Sequence, residues 1–179
     1  MESSFRIAES ETSEIVADLN SAAETDAARM LSLCLDVPRW AEGVLSARPF
    51  SDLQALRHAI QCAAAPLTPE EIHRALAVHP RIGERPVGDD ASAHYASSEQ
   101  SGVDISDQSV EQRLRAGNLA YEQRFGQVFL IRAAGRDADT ILRELERRLG
   151  NDPQTELAVV EHELREIAAV RATGSLGNE

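Results

Sequence analysis

At 179 residues the chain has room for one domain that buries most of its apolar surface, and with 42% apolar and 27% charged residues it has the make-up of a soluble globular protein. A net charge of −12 repels phosphate backbones, which argues against nucleic acid as a partner, and no apolar run is long enough to cross a bilayer, which argues against a membrane. All 18 basic residues are arginine, so a lysine Schiff base, a covalently held pyridoxal phosphate and a lysine-bearing phosphate loop are excluded.

Residues 1–9 carry no periodic pattern and read as a frayed end. From Ser10 to Asn20, Ile15, Val16 and Leu19 fall on one helical face, and Asn20 and Ser21 are placed to stop that helix and cap the next. Ala27, Met30, Leu31, Cys34 and Leu35 then repeat at helical spacing. Pro38 suits a first helical position, and Trp40, Val44 and Leu45 give that helix an apolar side before Pro49-Phe50 closes it. Ser51 is the predicted N-cap of a helix carrying Leu53, Leu56, Ile60 and Ala63, ended by Pro66. Thr68-Pro69-Glu70-Glu71 combines an N-cap, proline at the first position and acids in the first turn. That helix runs through Ile72, Leu76 and Ala77 to His79, where Pro80 disfavours further helix.

Residues 80–95 hold Gly83, Pro86, Gly88, Asp89 and Asp90, which predicts a loop long enough to be functional. Ala96 to Gly102 is assigned a short helix. Val110, Leu114, Tyr121 and Phe125 mark a strong helix closed by Gly126. Val128-Phe129-Leu130-Ile131 is too short and too isolated for a paired strand and reads as a buried extended segment, broken by Gly135. Ile141, Leu142, Leu145 and Leu149 build a further helix stopped by Gly150-Asn151. Pro153 opens the last, with Leu157, Val160, Leu164 and Ile167 inward, and residues 173–179 read as a loose tail. The fold class is all-α: a single-domain helical bundle of about eight helices over residues 1–179, with an active-site loop between two helical halves.

The start of the chain lacks the basic and apolar regions of a signal peptide, and Gly177-Asn178-Glu179 is no peroxisomal address, so a cytoplasmic location is expected. Cys34 and Cys62 form no close metal-binding pair, and a structural disulfide is not expected there. No G-x-G-x-x-G run supports nucleotide binding.

The stretch from His79 to Gln100 reads as the active-site segment. His79 is an imidazole that titrates near ~6.5 in the free residue, at a helix C-terminus whose dipole favours the protonated ring; the alternative is a ring that only caps carbonyls. Glu99-Gln100 puts a carboxylate beside an amide, able to accept from and donate to one polar ligand, or else leaves two solvated side chains on a short helix. A metal set of His79, His94 and Glu99 matches no zinc or iron spacing, so no metal is assigned. His58, His73 and His162 fall in mid-helix and read as surface residues. Leu157, Leu164 and Arg171 are spaced by sevens, so Arg171 continues the apolar stripe of the last helix. There it needs an anion, unless the helix has left the core. Gly126 and Gly135, flanking the 128–131 run, would let backbone approach a planar heterocycle closely; otherwise the run is core.

His79-Pro80-Arg81-Ile82-Gly83, then Ser98-Glu99-Gln100, then Asn118-x-x-Tyr121-x-x-x-Phe125-Gly126-x-x-Phe129-Leu130-Ile131 together resemble the 2-oxo-4-hydroxy-4-carboxy-5-ureidoimidazoline decarboxylases. Pro38-Arg39-Trp40, Arg48-Pro49-Phe50 and the Glu163-to-Arg171 end of the last helix are similar to other parts of that family, and the resemblance covers about residues 10–172. It implies an all-α homodimer without a cofactor that converts the ureidoimidazoline to (S)-allantoin and carbon dioxide, downstream of hydroxyisourate hydrolysis in uric acid breakdown. It implies that His79 is the proton donor and Pro80 a substrate contact. Two further contacting segments are implied, Ala96, Ser97, Ser98, Glu99 and Gln100, then Gln127, Val128, Phe129, Leu130 and Ile131, with Arg171 lining the site. Gln127 and Val128 depart from the Phe and Pro of some relatives, which points to contact there through backbone. Some eukaryotic relatives carry a peroxisomal ending; its absence here fits a bacterial-type cytoplasmic enzyme.

The residue types suggest a division of labour in which Glu99 orients the substrate hydroxyl and shares its proton, while His79 protonates carbon after carbon dioxide leaves. Two rivals stand beside this reading. One is an acidic helical module that docks the upstream hydrolase without chemistry, and the other is a metal-dependent hydrolase.

Overall fold

A computed structural model describes residues 14–82, 108–133 and 135–174. Among these residues the regular structure is entirely helical. The helices are α1 (14–21), α2 (Glu24–Cys34), α3 (Pro38–Leu45), α4 (Leu53–Cys62), α5 (Pro69–Leu76), α6 (Gln108–Phe125), α7 (Ala138–Arg148) and α8 (Pro153–Ala172). The chain divides into two compact units, one built from residues up to Pro66 together with 165–175, the other from Leu67 to Leu164 together with 176–179.

In the first unit α2 packs on α3 and α3 on α4. Leu31, Val44, Leu56, Ile60 and the indole of Trp40 are buried there, as the helical spacing predicts. Trp40 Nε1 donates to Ile60 O at 3.0 Å, so the buried indole carries its polar atom without loss. Pro38 does occupy a first helical position. Two capping expectations are corrected. Asn20 does not cap α2, which has no side-chain cap; it bridges instead to Phe50, donating to its carbonyl and accepting from its N–H, both at 2.8 Å. The N-cap of α4 is Asp52, which accepts from Ala55 N at 2.8 Å, whereas Ser51 donates to the Asp52 carboxylate. A carboxylate at that position gains from the helix dipole as well as the hydrogen bond. The helix also stops at Cys62, ahead of Pro66. The buried Arg165 guanidinium donates to the carbonyls of Ile60, Gln61 and Ala63 at 2.8 to 3.3 Å, supplying the acceptors that a helix end leaves open.

The second unit is organised on α6 and α7, which cross closely at Gly117. A Cβ at that position would lie 2.4 Å from Leu145 Cδ2, so the missing side chain permits the approach. Leu114, Tyr121, Phe129, Ile131, Ile141, Leu142 and Leu145 form its core. Gly126 closes α6 at φ +68, its N–H donating to Glu122 O at 2.8 Å, as the C′ position requires. Residues 128–133 form neither helix nor strand, so the run is no paired strand, as the sequence predicts. The expected short helix over 96–102 lies outside the described residues.

Candidate active site

The segment after α5 begins with a well-fixed helix. Thr68 Oγ1 accepts from Glu71 N at 3.2 Å and Glu71 Oε2 accepts from Thr68 N at 2.8 Å, so the N-cap read from the sequence is one half of a reciprocal capping box. The helix ends at Leu76, not at His79. Pro80 forces the preceding residue off the helical backbone, and the chain turns out with His79 N donating to Leu76 O at 3.0 Å.

His79 is buried, at 8% exposure, and its Nδ1 lies 2.8 Å from Ala75 O. A carbonyl only accepts, so Nδ1 carries the proton. The other ring nitrogen, Nε2, is also buried, and it is the atom from which a proton can be exchanged without disturbing the Ala75 contact. The carbonyl end of α5 lies beside the ring.

Helix α6 fastens the residues that follow. Asn118, 5% exposed, donates from Nδ2 to Ile82 O at 3.1 Å. Glu122, one turn on, accepts a short hydrogen bond from Arg81 Nε and a second from Nη2 at 2.9 Å. The bond from Arg81 holds the Glu122 carboxyl below the usual carboxylate range.

Residues 127–132 are fastened from the other side. Arg148, fully buried, donates from Nη1 to Leu130 O at 2.7 Å and from Nε and Nη2 to Glu156 Oε1 at 2.8 and 2.6 Å. Glu156 is also fully buried; it accepts a short hydrogen bond from Tyr121 and one from Asn151 Nδ2 at 2.7 Å. The guanidinium lies over the Phe129 ring, 4.7 Å from its centroid. Glu163 Oε2 accepts from Arg132 N at 2.7 Å. Burial, followed by the bond to Glu156, raises the Tyr121 phenol above its ordinary range, while a hydrogen bond with Gln127 pulls the other way.

Among the described residues, 127–132 make no backbone–backbone hydrogen bond, although Phe129, Leu130 and Ile131 are at most 5% exposed. Buried backbone donors and acceptors need partners, and a run of them suits a ligand rich in amide-like groups.

Of the predicted site residues, His79, Pro80 and Gln127 to Ile131 are all placed in this second unit. Ala96, Ser97, Ser98, Glu99, Gln100 and His94 lie outside the described residues. Arg171 belongs to the first unit. It is buried rather than wet, with Nη1 3.5 Å from Leu33 O. His58, His73 and His162 are exposed, as expected. Among the described residues no group of three or more His, Cys, Asp or Glu side chains is placed to hold a metal ion. The sequence reading missed Arg148, Glu156 and Glu163. A signal was present: Arg148 continues the stripe of Ile141 and Leu145, and Glu156 and Glu163 share the stripe of Val160 and Ile167.

A family model described as OHCU decarboxylase matches residues 20–173. The chain is 34% identical over 143 residues to a 2-oxo-4-hydroxy-4-carboxy-5-ureidoimidazoline decarboxylase of Haloferax volcanii, covering 79% of this chain and 83% of the relative. It is 32% identical over 142 residues to the mouse protein of that name, covering 78% and 80%. Among solved structures, an OHCU decarboxylase crystallised in the presence of (S)-allantoin superposes with a TM-score of 0.64 at 23% identity, over 82% of this chain and 96% of the other.

Proposed function

This chain belongs to the OHCU decarboxylase family, and we propose that it removes carbon dioxide from 2-oxo-4-hydroxy-4-carboxy-5-ureidoimidazoline to give (S)-allantoin in urate breakdown, with His79 as the proton donor. The bond between the ring carbon and its carboxylate breaks, carbon dioxide leaves, and the electron pair stays on an enolate-like ring. Glu99 orients the neighbouring hydroxyl and shares its proton. Protonation of carbon from His79 Nε2 on one face sets the handedness of the product. The single observation that carries this reading is the fixed, buried imidazole. With Nδ1–H held on Ala75 O, the ring left after Nε2 gives up its proton is the tautomer already bonded in place. Positioned acid–base groups of this kind contribute on the order of 10²–10⁴-fold.

The buried backbone of 128–131, in neither helix nor strand, supports the second half of the reading, binding of a planar urea-like heterocycle through N–H and C=O groups. Residues 20–173 of the family match run through both compact units, so the reading treats them as one functional domain. It extends to a homodimer in the cytoplasm, as the family resemblance implies.

The test follows optical rotation and ultraviolet absorbance with freshly made substrate. Wild-type protein should accelerate decay and yield one enantiomer. His79→Ala should retain the helical circular dichroism and lose turnover, while His58→Asn, His73→Asn and His162→Asn keep it. Unchanged turnover in His79→Ala would remove the histidine from the mechanism. Spontaneous, racemising decay with the wild type would favour the non-catalytic module.

A further inference from the structure

Among the described residues, one half of the Asn118 amide has no partner. Its Nδ2 is committed to Ile82 O at 3.1 Å, and because that carbonyl can only accept, the amide orientation is fixed. Oδ1 is left buried with no hydrogen-bond partner among the described residues. Native interiors keep few such atoms, and each calls for an explanation. A buried acceptor missing its donor is destabilising, and a ligand bearing an N–H or O–H removes that penalty on binding.

The position fits a ligand. Ile82 is three residues beyond His79, and three extended residues span at most about 11 Å. The Asn118 amide is thus tied to a point within a small-molecule length of the candidate proton donor. Tyr121, one turn along α6, reaches through Glu156 and Arg148 to the Leu130 carbonyl. One turn of α6 is thereby tied to both ligand-facing segments of this unit.

We propose that Asn118 is a substrate-binding residue whose Oδ1 accepts a hydrogen bond from an N–H group of the ureidoimidazoline. The inference rests on the decarboxylase reading and extends it. The ligand must be a donor at this point, which a ureido or ring N–H supplies and a carboxylate does not.

The test uses the full chain with its asparagine side-chain carbonyls labelled with carbon-13, and (S)-allantoin as the probe. The Asn118 carbonyl signal should shift on titration while that of Asn20, bonded at both ends to Phe50, stays still. Asn118→Ala should raise the (S)-allantoin Kd and the KM on the order of tenfold, the scale of one lost hydrogen bond between buried groups, with a smaller change in kcat. A stationary Asn118 signal at saturating allantoin would overturn the proposal, as would an unchanged KM in a folded Asn118→Ala. If that variant does not fold, the wild-type titration decides alone. Failure of the underlying reading looks different: wild-type protein would then neither turn over substrate nor bind allantoin.

Discussion

The guanidinium of Arg148 donates to the Leu130 carbonyl at 2.7 Å while its other face is neutralised by Glu156. A fully buried ion pair thus doubles as a clamp on a non-helical segment that makes no backbone–backbone hydrogen bond of its own among the described residues.

Breaking that pair from one side should be severe. Arg148→Met leaves a buried carboxylate without its counter-charge, a loss of about 3–5 kcal/mol, read as a lowered midpoint in urea unfolding. Arg148→Met with Glu156→Leu should recover most of the stability, since well-packed apolar pairs replace buried ion pairs at little cost. The double variant still lacks a donor for Leu130 O, so its turnover should remain depressed. Full activity in a stable double variant would mean the clamp has no part in catalysis.

Tyr121 predicts an alkaline limb. Its folded phenol titrates above the ordinary range because of burial and the bond to Glu156, whereas the unfolded phenol ionises near ~10. Above that pH the unfolded state binds fewer protons than the folded one, so stability falls as pH rises. Tyr121→Phe should flatten this fall above about pH 10, and urea midpoints from neutral pH into that range check it.

Glu122 predicts the opposite limb. Arg81 holds its folded carboxyl below the ordinary value, so the stabilisation is complete above the unfolded value near ~4.3 and is lost as pH falls through the folded one. Glu122→Gln should make acid unfolding less steep. Arg81 is 45% exposed, so the change near neutral pH should stay below about 1 kcal/mol.

Glu163 supplies the acceptor for Arg132 N. Glu163→Ala should cost about 1.5–3 kcal/mol, the range for a hydrogen bond to a charged group, and should speed hydrogen exchange at the Arg132 amide. Glu163→Gln keeps an acceptor oxygen and should restore most of the protection. Equal exchange in the two variants would assign the bond no structural weight.

The helices were legible because apolar spacing and local punctuation agree. Thr68 with Glu71, Pro38, Pro153 and Gly126 act within one turn of themselves, so sequence neighbours suffice to predict them. Ser51 against Asp52 was misassigned because both are good caps, and only the geometry of the turn decides which side chain reaches Ala55 N. His79 was legible through Pro80. Arg148 and Glu156 were not, because each taken singly looks like a surface charge; their meaning arises from mutual burial across residues 148 to 156 and from a carbonyl eighteen positions away. The amide of Asn118 was read only as part of a motif, since its fixed orientation depends on a carbonyl distant in sequence, Ile82.

Asn118, Tyr121 and Glu122 stand three and four positions apart on α6, and each takes hold of a different group: Ile82, Glu156 and Arg81. A helix advances about 100° per residue, so removing one residue between Asn118 and Tyr121 would swing one grip away from the others, whatever side chains were kept. This turn should therefore tolerate exchange of residue types far better than any change in its length.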